Sequence, residues 1–224
     1  MSYAGLPRET IRFLAGLSAE NNREWFESHR AEYETAWLNA GLDLIAALSG
    51  PVSALGLTAV PKLNASLRRI YRDTRFSRDK RPYEPALHMI FSQGTAFNKE
   101  PGVHIVLHHD GFGYGAGLYG LSPEGLDRYR QAVCNPDART RLLAALDRAK
   151  TVGCMPDVAD VKRLPKTYPS DPAWEHLLLR KSLIVRTQTD QPLPDWLFGP
   201  AVVQGFADLV AALAPLVHWL YQEV

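Results

Sequence analysis

The sequence predicts an α+β fold, a single domain spanning 1–224 with a mainly antiparallel sheet flanked by helices. Three observations predict it. Apolar residues recur at helical spacing near both ends of the chain. Four β-like runs crowd the middle, and Asp110-Gly111 sits between two of them, where a hairpin would turn. With 46% hydrophobic residues in 224, the chain can bury a substantial core.

The elements follow in order. Residues 9–17 read as a short helix. A longer one follows Asn21 and Asn22, either of which can cap its first free N–H groups. Phe26, Tyr33, Trp37, Ala40, Leu44 and Leu48 form its apolar face, and Gly50-Pro51 is its expected end. Strands are expected over 66–71, 87–93, 103–109 and 112–119. A two-residue turn at Asp110-Gly111 would set His109 opposite Phe112, Leu107 opposite Tyr114, Ile105 opposite Ala116 and Val103 opposite Leu118. The other face would pair His104, Val106 and His108 with Gly117, Gly115 and Gly113. Such a glycine row makes a shallow floor for a helix, another backbone or a ligand, and a packed helix is the expected occupant.

Ser122-Pro123 and Asn135-Pro136 are cap-plus-first-position pairs opening helices over 123–133 and 136–151, with Gly153 as a stop. Residues 154–171 are irregular. Asp171-Pro172 starts a short helix through Leu179, and 181–188 alternates like a strand. A final helix spans 200–222 with Pro215 expected to kink it. No repeat, low-complexity segment or linker divides the chain.

Composition narrows the function classes. The net charge is +1, which disfavours a general nucleic-acid binder with a broad positive face. Two cysteines, Cys134 and Cys154, fit a reducing compartment better than a disulfide framework. The N-terminus lacks a signal peptide's pattern, and no uninterrupted apolar run suits a membrane span. The expectation is a cytoplasmic protein without a membrane partner. Oligomeric state has no reading in the sequence.

Against that neutral background, residues 68–81 hold seven basic side chains and two acidic ones. The expected partner is a small anionic ligand bearing phosphate or carboxylate. Arg69, Arg72 and Arg75 would clamp it, because a guanidinium gives two parallel, charge-assisted hydrogen bonds. Lys80 would add charge, Tyr83 a positioning contact, and Asp73 would orient the arginines or act as a base. The alternative is internal pairing with Asp73, Asp79, Glu84 and Glu24. Arg69, Arg72 and Arg75 therefore meet either an open cleft or their own chain's carboxylates. Two further readings remain: an enzyme acting on a phosphorylated or carboxylated small molecule, which a pocket joining this loop to the glycine floor would favour, and a non-catalytic protein or nucleic-acid interaction module.

Two strings carry a family resemblance: N-N-R-E-W-F at 21–26 and R-I-Y-R-D-T-R-F-S-R-D-K-R-P-Y at 69–83. With G-L-Y at 117–119 and L-x-x-K-S at 178–182, the chain resembles an uncharacterised domain-of-unknown-function family of bacteria and fungi, from about Phe13 to Leu220. The resemblance implies one domain and no activity or catalytic residue.

Other motifs carry little. His108-His109-Asp110 looks like a metal cluster, but adjacent strand residues point to opposite faces, and no metal is expected. Gly111-Phe-Gly113-Tyr-Gly115-Ala116 matches a relaxed dinucleotide fingerprint, yet it keeps a strand period where a helix should open, so no cofactor is expected. No nucleophile elbow is present, and both cysteines read as incidental thiols.

Overall fold

A computed structural model of the chain describes residues 3–97, 99–163, 167–169 and 171–224. Helix α1 (Arg8–Ala19) buries Phe13, Leu14 and Leu17 along one stripe. Of the two adjacent asparagines, Asn22 caps α2 (Arg23–Ser28), its side chain accepting from Trp25 N–H. The single long helix expected after it is interrupted. It breaks at His29, resumes as α3 (Arg30–Glu32), widens into a π-helical run at Tyr33–Asn39, and continues as α4 (Ala40–Ala54). The wide turns bring Tyr33 and Trp37 inward as a stacked pair at 5.3 Å. Gly50 and Pro51 do not end α4, which runs through both. Gly50 has no Cβ to crowd the proline ring, and the stop falls to Gly56 at φ 72°.

The sheet contains β1 (Leu87–Ser92), β2 (Gly102–Leu107), β3 (Phe112–Leu118), β4 (Met155–Pro156) and β5 (Leu183–Arg186). Its order is β1-β2-β3-β5-β4, and every pairing is antiparallel. Segment 66–71 is no regular strand. It lines the β1 edge through a Leu67–Met89 bridge, with Arg68 N–H donating to His88 O and Ile90 N–H to Ser66 O.

The β2–β3 register differs by two residues from the expected one. Leu107 pairs with Phe112, Ile105 with Tyr114 and Val103 with Ala116. The connection is the four-residue loop 108–111, closed by His108 N–H donating to Gly111 O at 2.8 Å. Gly111 is not in the left-handed region that a two-residue turn requires. It serves close approach instead, since a Cβ there would stand 2.8 Å from Gln191 O, whose residue pairs with Phe112. A shift of two preserves side-chain parity, so both expected faces survive.

One face carries Leu87, Met89, Phe91, Val103, Ile105 and Leu107, all buried against α4 and α8 (Val202–Glu223). Helices α5 (Pro123–Cys134) and α6 (Pro136–Lys150) extend this layer, capped by Ser122 and Asn135 as expected, and Gly153 stops the second at φ 76°. The short helix after Asp171 is α7 (Glu175–Leu178). Helix α8 runs unbroken through Pro215. It is long and apolar enough to span a membrane, but 56% of its most apolar stretch is buried in this core.

The opposite face holds the glycine row, and among the described residues no helix packs there as expected and no helical residue lines it. The backbone of β5 closes over part of it, where a Cβ on Gly115 or Gly117 would collide with the Val185 or Leu183 carbonyl oxygen. The rest is an open cleft.

Candidate functional site

The arginine run follows the β1 edge and then leaves it as a loop. Leu67 and Ile70 turn into the core and fix the run's orientation. The loop's neck is tied by Arg72 N–H donating to Pro82 O at 2.9 Å and Glu84 N–H to Ile70 O at 2.8 Å. Asn21 locks the exit. Its side chain donates to Tyr83 O at 2.9 Å and accepts from Tyr83 N–H at 3.0 Å. Thus the two strings that prompted the family resemblance meet at this neck.

Inside the loop, most charges find partners. Arg75 grips Asp73 bidentately, at 3.0 and 2.7 Å. Hydrogen bonds from the Arg75 side chain and then its backbone N–H hold the Asp73 carboxyl down at about 2. Asp79 bridges Arg81 at 2.8 Å and Arg72 at 2.7 Å, and those two guanidiniums hold its carboxyl well below the usual range. Arg72 also approaches Glu84 at 3.6 Å. Lys80 donates to Thr74 O at 2.9 Å. Tyr83 is 3% exposed and stacks on Phe26 at 4.2 Å.

The three arginines differ in surroundings: Arg75 meets a carboxylate, Arg69 lines a cleft, and Arg72 does both. Arg72 and Arg75 meet carboxylates. Arg69 and its neighbour Arg68 line an open cleft of about 470 Å³, and among the described residues neither forms an ion pair. Arg72, Asp73, Tyr71 and His88 share that cleft, and Arg69 lies close enough to Asp73 to help hold its carboxyl ionised. Arg75, Lys80 and Tyr83 do not line it.

A second cleft, of about 350 Å³, lies over the glycine row. Gly113, Gly115 and Gly117 line it together with Ile184, Tyr119 and Thr187. The two clefts adjoin, with Val106 and His108 contributing to both. His108 Nε2 stands 3.7 Å from Asp190 Oδ2.

Between the clefts His88 Nε2 and His104 Nδ1 share a hydrogen bond of 3.0 Å. Burial, then the neighbouring His104 and Arg68, push the His88 pKa down to about 3. Burial, then Arg68, push that of His104 down to about 4. The pair is therefore neutral at physiological pH, one ring donating and the other accepting. Among the described residues no group of three or more His, Cys, Asp or Glu is placed to hold a metal ion.

Sequence reasoning missed Arg68, the His88–His104 pair and the approach of His108 to Asp190. Arg68 was legible only as one of the basic residues over 68–81, because strand alternation groups it with Ile70, which is buried. The histidine pair was not, because it depends on the β1–β2 register, which sets Ile90 against His104 and His88 against Val106.

Residues 9–219 match the family described as conserved hypothetical protein (DUF2461). The chain belongs to this family. The match takes in both strings, the Asn21–Tyr83 lock and every residue lining the two clefts, so the DUF2461 unit is the whole α+β fold rather than a part of it. A comparison with curated proteins gives no match.

Proposed function

We propose that the protein binds a small anionic ligand, bearing phosphate or carboxylate, in the cleft of Arg68, Arg69 and Arg72. One observation carries the reading: two arginines line a concave cleft without a carboxylate partner among the described residues, in a segment whose other charges are mostly paired. Arg68 and Arg69 would clamp the anion. Arg72, already held by Asp79 and Glu84, would add a preorganised charge. Arg75, Lys80 and Tyr83 shape the loop rather than reach the ligand, while Asp73, which lines the cleft, would orient the arginines. The free thiols of Cys134 and Cys154 suit a reducing, cytoplasmic setting for this reading.

Calorimetric titration with inorganic phosphate and pyrophosphate tests it. Arg69→Ala should weaken binding at least about tenfold, ~1.4 kcal/mol. Arg78→Ala, an exposed change outside the cleft, should leave it unaltered. Equal affinities for wild type and Arg69→Ala would overturn the proposal.

The adjoining clefts favour a second reading, catalysis on the bound anion. His108 contributes to both clefts, with Asp190 beside it to orient its ring as a general acid–base. A His108→Asn variant that binds phosphate normally but loses turnover in a phosphate-ester screen would support it. A wild type that turns over no such ester would count against it.

A further inference from the structure

We infer that the anion held by Arg68 and Arg69 is a backbone phosphate of single-stranded nucleic acid, with one of the strand's bases stacked on Phe76. This rests on the anion-binding reading and names the class of molecule that carries the anion.

Phe76 itself is the first support. Its ring is 94% exposed, so it has no part in the core. The loop that displays it is nonetheless well held. Asn21 locks the neck at Tyr83, and the Asp73–Arg75 and Asp79–Arg81 pairs brace the interior. A ring on a scaffold fixed in this way costs little ordering when a partner stacks on it.

Position is the second. Arg75 links the ring to the arginine cleft: its Nη2 stands 2.7 Å from Asp73 Oδ2, and its Cζ lies 5.8 Å from the centre of the Phe76 ring. With ordinary bond lengths, the ring centre lies within about 10 Å of the Asp73 carboxylate. Asp73 lines the cleft beside Arg68 and Arg69. A second ring, Tyr71, also lines it and is 43% exposed. Exposed rings interspersed with guanidiniums over one short stretch suit the alternating bases and phosphates of a single strand.

Charge is the third. Residues 72–81 hold five basic and two acidic side chains around Phe76. In a chain of net charge +1 this excess is local, which suits contact with a few nucleotides rather than a broad face along a duplex.

An anionic membrane fits these observations less well. Phe76 is the only large apolar side chain in 72–81, and a whole acyl chain alone gives only marginal membrane binding. Insertion would also carry Asp73 and Asp79 toward anionic headgroups. Base stacking needs one ring per base and contributes roughly 5- to 150-fold in affinity.

Fluorescence anisotropy with labelled dT and rU oligonucleotides of about twelve nucleotides, beside calorimetry with pyrophosphate, tests the inference. At least one oligonucleotide should bind about tenfold or more tighter than pyrophosphate. Phe76→Ala should cut that preference at least about fivefold, and Phe76→Trp should keep it. Phe76→Ala should not change the slope of log affinity against log salt, because stacking releases no counterions. Arg69→Ala should reduce that slope by about 0.7, the share of one phosphate on a single strand. If pyrophosphate binds as tightly as both oligonucleotides, or the preference survives Phe76→Ala, the nucleic-acid assignment is overturned and the anion site stands. Co-sedimentation with phosphatidylserine–phosphatidylcholine vesicles, without oligonucleotide binding, would overturn it in favour of a lipid headgroup. If neither pyrophosphate nor oligonucleotide binds, the anion reading falls and this assignment with it.

Discussion

Asn21 and Asn22 are adjacent and chemically identical, yet removing their amides should have different consequences. Asn22 is exposed and accepts one hydrogen bond from Trp25 N–H as a helix cap. Asn22→Ala should cost about 1 kcal/mol, the usual value for a lost cap. Asn21 instead satisfies both backbone polar groups of Tyr83, a residue 62 positions away and 3% exposed. Asn21→Ala leaves a buried N–H and a buried carbonyl without partners. An unsatisfied buried group costs about 1–3 kcal/mol, and partial water access at half-buried Asn21 tempers the second, so about 2–3 kcal/mol in total is expected. Urea denaturation of both variants and wild type, followed by fluorescence, measures the difference. Phosphate titration should show weaker binding for Asn21→Ala alone, since the neck it locks positions Arg72 and the cleft beside it. Equal destabilisation by the two substitutions, or a larger effect at Asn22, would refute the account of the neck.

Three other outcomes are expected. The folded pKa values of His88 and His104, about 3 and about 4, lie below the ordinary value near 6.5, so from about pH 6.5 down to those values the unfolded chain takes up protons that the fold does not. Their contribution to stability is complete above that window and is lost as pH falls through it, by up to about 1.4 kcal/mol per pH unit for each histidine. Urea midpoints from pH 7 to 4.5 should fall more gently in His88→Gln, and a wild-type profile flat over that range would contradict it. Gly115→Ala should destabilise by about 2 kcal/mol by pushing β5 away, while Gly113→Ala should cost less than about 1 kcal/mol; thermal unfolding that ranks them the other way would count against the β3–β5 packing. Cys154 is buried, and burial pushes its thiol up to about 12, so mass spectrometry after iodoacetamide at pH 8 should show Cys134 modified well before it.

Where local chemistry decides, sequence and structure agree. Ser122 and Asn135 cap their helices, Gly153 supplies a left-handed stop, and the strands of the central hairpin lie within a residue or two of their expected bounds. Where a distant partner decides, they differ. The Asp110-Gly111 signal suggested a two-residue turn, but Phe112 pairs with Gln191, and the loop widens to 108–111. Pro51 suggested a helix end, but Gly50 before it relieves the clash, and α4 continues to Ala54. The glycine row suggested a packed helix; instead, α4 and α8 cover the other face and β5 overhangs part of the row.

The amino-acid sequence alone determined the α+β class, the two faces of the hairpin, and a concentration of positive charge over 68–81. Each of these depends on residue types at short spacing, which periodicity and composition report directly. Only the tertiary structure decided which arginines are spent on internal pairs and which line a cleft. The sorting depends on Asp73, Asp79 and Glu84 reaching some guanidiniums and not others, and on the β1–β2 register setting His88 beside His104. Ion pairing and cross-strand contact are fixed by distances of a few ångströms between residues far apart in the chain, and spacing along the sequence does not encode them.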